Sequence, residues 1–229
     1  MHRPFHRKGA CPINRTVHTV STVLYEIAAA ALTLLVILDR GLPAAWQIAL
    51  SLLIPLGFPL VRRLFRVRQG LWMECLWLWF FFLAFTVGVG LQWYARFTYY
   101  DIFVHGLSGM LTALTGITLY IRLRPADRRL LPPERGLAVG TAFLTAQAAA
   151  GLWEIAEYVA WLITGHDSQN VATTGVSDTM EDMMIALACS LIICVCAALH
   201  YGGHRCPLLH PVDEWLEAER AAAQEELHG

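Results

Sequence analysis

Six long apolar runs constrain this chain more than any other feature. They cover residues 19–38, 42–61, 71–94, 101–121, 137–163 and 178–199. About 20 apolar residues in a helix reach across the roughly 30 Å hydrocarbon core of a bilayer. Of the 229 residues, 56% are hydrophobic and 15% charged, where soluble domains carry about a quarter charged. The expected fold is all-α: a polytopic membrane helical bundle of about six transmembrane helices. A basic N-terminus (1–18) precedes the membrane domain (19–201), and a tail with a short helix near 210–228 follows (202–229). The first run imitates a signal peptide, with Ala44-Ala45 as a weak cleavage site. It is long enough to span, and a second run follows after the short Asp39-Arg40-Gly41 turn, so it reads as retained.

The basic residues orient the bundle. The N-terminus, the 62–68 and 122–135 loops and the C-terminal tail hold fifteen Lys and Arg, against two (Arg40 and Arg96) in the alternate loops. Lys and Arg concentrate in cytoplasmic loops, so both termini are expected inside, in the plasma (inner) membrane. Basic residues confined to short loops between apolar runs exclude a nucleic-acid partner. The six cysteines form no CxxC pair, and no disulfide framework is expected.

Acids inside apolar helices are expensive and mark functional sites. In the inside-in orientation, Asp101 and His105, Glu154 and Glu157, and Asp178, Glu181 and Asp182 all fall within roughly 15 Å of the outer surface at 1.5 Å rise per residue. Each set has i, i+3 or i, i+4 spacing and shares one helix face. Eight outer-side acids face only Arg40 and Arg96. Carboxylates crowded in a low dielectric must be protonated or hold a cation. Carboxylates with one imidazole suit zinc, manganese, iron or magnesium. The expected ligands are Asp101, His105, Glu157, Asp178 and Asp182, with Glu181 as a further candidate. Glu154 is the expected general base. The Glu-x-x-His pair of di-iron bundles is absent.

Three motifs resemble those of the YjdF-like family of bacterial inner-membrane proteins, whose function is unknown. Tyr100-Asp101-x-x-x-His105 followed by Gly109 is similar to its YDxxxH motif. Glu154-x-x-Glu157 is similar to YExxE, with Trp153 in place of Tyr. Asp178-x-x-x-Asp182-Met183 is similar to the second half of GDxWDxxxDM, whose first half departs at Gly175 and Ser177. The resemblance covers about residues 20–200 and implies a polytopic membrane protein without supplying a reaction.

Three functions stay open. One is a metal-dependent site acting on a lipid or lipid-linked substrate, with metal-activated water as nucleophile. The second is an ion- or proton-coupled transporter, with Glu26 and Glu74 continuing a polar path inward. The third is a scaffold whose acids fix helix packing. Asp178 also reads as an N-cap of the last span, with Glu181 as its capping-box acid. His200, His204, Cys206 and His210 have ligand types near the inner face, but their spacing fits no standard zinc motif. Gly109 and Ala113, and Thr112 and Gly116, are small residues placed for close helix packing. The aromatics Trp93, Tyr94, Phe97, Tyr99 and Tyr100 read as an interfacial belt.

Overall fold

The computed structural model describes residues 15–65, 70–123, 132–165, 167 and 169–217, all of its regular structure helical. In chain order the helices are α1 (Arg15–Arg40), α2 (Leu42–Ser51), α3 (Ile54–Phe65), α4 (Leu71–Phe81) continued by a π-helical turn (Phe82–Gly90), α5 (Trp93–Arg96), α6 (Tyr100–Arg122), α7 (Pro132–Thr164), α8 (Val171–Thr174) and α9 (Ser177–Tyr201). A 3-10 turn (Pro207–Leu209) leads into α10, residues 210–217. The structure is thus an all-α polytopic bundle. Five stretches are long and apolar enough to cross a membrane: α1, α4 with its π turn, α6, α7 and α9.

The second apolar run is not one helix. It breaks between α2 and α3, where Pro55 has no N–H to donate and disfavours helical geometry at Ile54. Tighter bonds bridge the break, from Leu52 N to Ala49 O at 3.2 Å and from Leu53 N to Leu50 O at 3.0 Å. Buried Ser51 carries the polarity of the junction. Its carbonyl accepts the Tyr25 hydroxyl at 2.8 Å, and its own hydroxyl lies 3.3 Å from that of Thr86. Polar backbone released inside a bilayer has to be satisfied by such partners. The two half-helices still cover the depth of α1. Beside the start of α2, Arg40 donates to the Gly90 carbonyl at 2.5 Å, while near the end of α3 Arg62 pairs with Glu74, which His18 approaches at 3.0 Å.

The other half of the bundle is α6, α7 and α9, each packed against the other two. Small residues set the separations. A Cβ on Gly109 would run into the backbone of Ala186 in α9. One on Gly116 would sit 2.9 Å from Ala142 Cα and from the Thr141 carbonyl in α7. In lipid, where apolar surface gives little drive for helix association, such close backbone contact holds helices together. Gly136 and Gly140 face open space instead. The core between these helices is built from Leu111, Ala113, Leu114, Ile117, Ala142, Ala146 and Ile193.

The tail helix α10 docks against the same core. Val212, Glu214 and Trp215 are buried, Trp215 closes on Gly70, and Glu214 accepts the Trp72 amide at 3.3 Å. Residues 218–229, the rest of the expected tail helix, lie outside the described residues. So does Cys11, while the other five cysteines are free.

Candidate functional site

The site begins at the head of α6. Tyr100 anchors that end, its hydroxyl donating to the Leu83 carbonyl at 2.9 Å and its ring set against Trp93 and Tyr94 with centroids 5.3 Å apart. These aromatics therefore form a small core of their own around the start of α6, while Phe97 and Tyr99 stay exposed as a belt would. One residue on, Asp101 and His105 stand a turn apart on one face.

Gly106 and Gly109 let α9 approach that face. The position of a Cβ on Gly106 lies 3.1 Å from Cys189 Sγ, and Gly109 abuts Ala186. The approach carries Asp182, one turn earlier in α9, up to His105. His105 Nε2 lies 3.4 Å from Asp101 Oδ1 and 3.7 Å from Asp182 Oδ2. Ligand atoms of all three residues fall within 4.8 Å of one another. His105 and Asp182 are only 7% and 4% exposed. Among the described residues, the ion pairs of Asp101 and Asp182 run to His105 and to no Lys or Arg.

The other expected site residues surround this group. Glu154, on α7, is buried. Gln169 donates its side-chain amide to Glu154 Oε2 and to the Glu154 carbonyl, both at 3.0 Å, while Glu154 Oε1 is buried without a hydrogen-bond partner. Glu157 is half-buried and accepts the Trp153 indole N–H at 3.0 Å. Asp178 accepts the Asn170 side-chain amide at 3.1 Å, and Glu181 is exposed. Glu154, Glu157 and Asp178 interact electrostatically with His105. The structure thus brings Asp101, His105 and Asp182 into one group, sets Glu154, Glu157 and Asp178 around it, and leaves Glu181 outside. Asp178 does not cap α9. The N-cap is Val176, with no side-chain cap bond, and Asp178 lies in the first turn.

Two neighbours carry no sequence signal. Gln169 lies in the 165–176 loop, folded inward because Asp167 accepts the Val171 and Ala172 amides at 3.0 and 2.9 Å and Asn170 turns the chain at φ 52°. Tyr94 packs over Gly88. Burial pushes its hydroxyl well above the usual range, with the charge of Asp101 adding to the effect, so it remains an O–H donor beside the acids. Nothing in a lone Gln or an interfacial Tyr distinguishes them before the chain is folded.

At the opposite end, Glu74 is held by Arg62, in the last turn of α3, and by His18. Glu26 is half-buried beside Tyr25. His200 spends one ring nitrogen on Asp213 at 3.2 Å and the other on the Cys206 amide at 3.4 Å, and His210 stacks edge-on against Trp72. His200, His204, Cys206 and His210 do not converge as a metal-ligand group; among the described residues only Asp101, His105 and Asp182 do.

Compared with known proteins, the chain finds no match among curated proteins and none among solved structures. A family described as "Predicted membrane protein (DUF2238)" matches residues 19–202, in keeping with the YjdF-like resemblance of the three motifs. That match runs from within the first turns of α1 to just past the end of α9, and the chain belongs to the DUF2238 family of predicted membrane proteins.

Proposed function

We propose that Asp101, His105 and Asp182 hold a divalent metal ion inside the bilayer, and that the site acts on a lipid or lipid-linked substrate. The observation that carries this reading is the spacing of the three ligand atoms. Separations of 3.4 and 3.7 Å are longer than the 2.7–3.2 Å of an N–H···O hydrogen bond. They suit two donors sharing one ion, since ligands about 2.1 Å from a tetrahedral metal lie about 3.4 Å apart. Two carboxylates against one imidazole, with no ion pair to a Lys or Arg among the described residues, leave a negative surplus in a low dielectric that a cation offsets. One nitrogen and two carboxylates fit zinc, manganese or iron, with magnesium less suited to the imidazole.

A divalent ion, when bound, polarises a phosphoryl or carbonyl oxygen and lowers the pKa of water. The chain supplies the rest. Glu154 Oε1 is free of partners and takes the proton, Gln169 fixes the carboxylate by its other oxygen, and Tyr94 offers a hydroxyl to developing negative charge. A group lying within the spans is reached most directly by a substrate already in the membrane. The Lys and Arg bias supports the reading that this end faces the extracytoplasmic side of the plasma (inner) membrane.

The test is elemental mass spectrometry on detergent-purified protein beside an Asp101→Asn/Asp182→Asn variant that still folds. Stoichiometric metal in the wild type, lost in the variant, is the expected result. Background metal after growth with added zinc, manganese and iron sinks the reading.

A second reading, ion- or proton-coupled transport, is favoured by one observation. The α2–α3 break places Tyr25, Ser51 and Thr86 together, buried at mid-depth, and transporters use discontinuous helices in this way. Proton or ion flux in proteoliposomes, lost in Glu26→Gln with metal retained, would favour it over the enzyme.

A further inference from the structure

Beside Glu154 lies a cavity of about 350 Å³, walled by Glu154, Ile155, Tyr158, Gln169, Val176 and Thr179 together with Val171 and Gly175. Its chemistry is lopsided. Among the described residues the wall holds one acid and no Lys, Arg or His. That acid is 6% exposed, and one of its two carboxylate oxygens has no partner. A buried acceptor left unpaired is costly, more so if charged, and a donor arriving from outside removes the cost. The flanks, by contrast, are apolar and turned outward. Ile155 and Tyr158, on the spanning helix α7, and Val176, at the head of α9, are all exposed.

We propose that this cavity receives the protonated primary amine of a membrane-resident amphiphile, its ammonium N–H groups donating to the Glu154 carboxylate and its apolar part lying along Ile155, Tyr158 and Val176. The exposed apolar rim selects a lipid over a soluble amine, because a soluble amine gains nothing from that surface. A quaternary ammonium head has charge but no N–H, and an anionic head meets only Glu154, so both are disfavoured. The proposal does not depend on metal binding at Asp101, His105 and Asp182, and it gives Glu154 the task of holding the amine in place of proton transfer.

Delipidated, chelator-treated protein is titrated with dioleoyl phosphatidylethanolamine, phosphatidylcholine or phosphatidylglycerol, and bound lipid is counted by native mass spectrometry. Free ethanolamine serves as competitor. At least a tenfold preference for the primary amine lipid is expected. It should disappear in Glu154→Gln and, should that variant misfold, in Val176→Trp, which fills the cavity from its exposed rim. It should persist in Asp39→Asn, an acid 80% exposed far from the cavity wall. Equal binding of the three lipids, binding unaffected by both cavity variants, or full displacement by ethanolamine at concentrations matched to the lipid would overturn the proposal. Because metal is stripped beforehand, failure of the metal reading leaves this result unchanged, and the reverse also holds.

Discussion

The two ends of the bundle solve the same problem in opposite ways. At the end where α3 meets α4, the buried acid Glu74 is ion-paired with Arg62 and approached by His18, so a cation meets its charge directly even with Glu214 near by. At the other end two buried or half-buried aspartates, Asp101 and Asp182, face a single histidine. Of the two outer-side cations, Arg40 donates instead to the Gly90 carbonyl and lies beside exposed Asp39, and Arg96, five residues before Asp101, is exposed. A balanced cluster needs nothing further and reads as structure. An unbalanced one carries a deficit that a ligand can meet. The lesson is that an intramembrane acid signals function by the absence of its counter-charge more than by its burial.

The largest expected effect falls on the unbalanced end. Asp182→Asn should weaken metal binding by more than the roughly 10–100-fold typical of losing a supporting contact, because a direct ligand goes. Metal titration by calorimetry checks it. The sign of the stability change sharpens the contrast. In chelated protein, Asp182→Asn should raise the unfolding midpoint by relieving repulsion with Asp101, whereas Glu74→Gln should lower it. The same sign at both ends would break the comparison.

Next comes Gly109→Leu. The added side chain must push α9 away at Ala186 and carry Asp182 from His105. Overpacking of this kind costs roughly 1–3 kcal/mol. The variant should lose stability in detergent unfolding and lose metal affinity with every ligand intact. Retained affinity would mean that the helix approach does not build the site.

Arg62→Met leaves Glu74 with His18 alone. Breaking a fully buried pair costs about 3–5 kcal/mol. Arg62 is partly exposed, so roughly 1–2 kcal/mol is expected, seen as a lower midpoint with metal binding unchanged.

The smallest effect concerns the docked tail. Burial pushes the Glu214 carboxyl above its usual range, against the pull of the Trp72 amide. An acid whose folded pKa is raised favours the fold below its unfolded value and loses that contribution as pH rises through the raised one. Tail docking should therefore weaken modestly above the ordinary carboxylate range, read as increased quenching of Trp215 fluorescence. Glu214→Gln should flatten that dependence, and an unchanged profile would assign it to another group.

Much of this was legible beforehand. The spans at α1, α4, α6, α7 and α9 follow from apolar length alone, because a bilayer leaves an apolar chain little choice but helix. The i, i+4 pairing of Asp101 with His105 follows from helix periodicity, and the small-residue faces of α6 announced close neighbours without naming them. The break in the second run was signalled by Pro55 but hidden by uninterrupted hydropathy. The roles of Gln169 and Tyr94 had no local signature, since both depend on a loop and a short helix folding back over the bundle.

The sequence by itself determined the helical class, the number and depth of the apolar segments and the level at which the acids lie, because these are set by local geometry and by the bilayer as solvent. Only the tertiary structure decided which acids meet. Six carboxylates share that level with His105, yet the rotation of α9 about its axis and its glycine-limited distance from α6 bring Asp182 to the histidine. The same packing leaves Glu181, one residue earlier, exposed. Helix rotation and separation are properties of pairs of helices, so periodicity within one helix does not contain them.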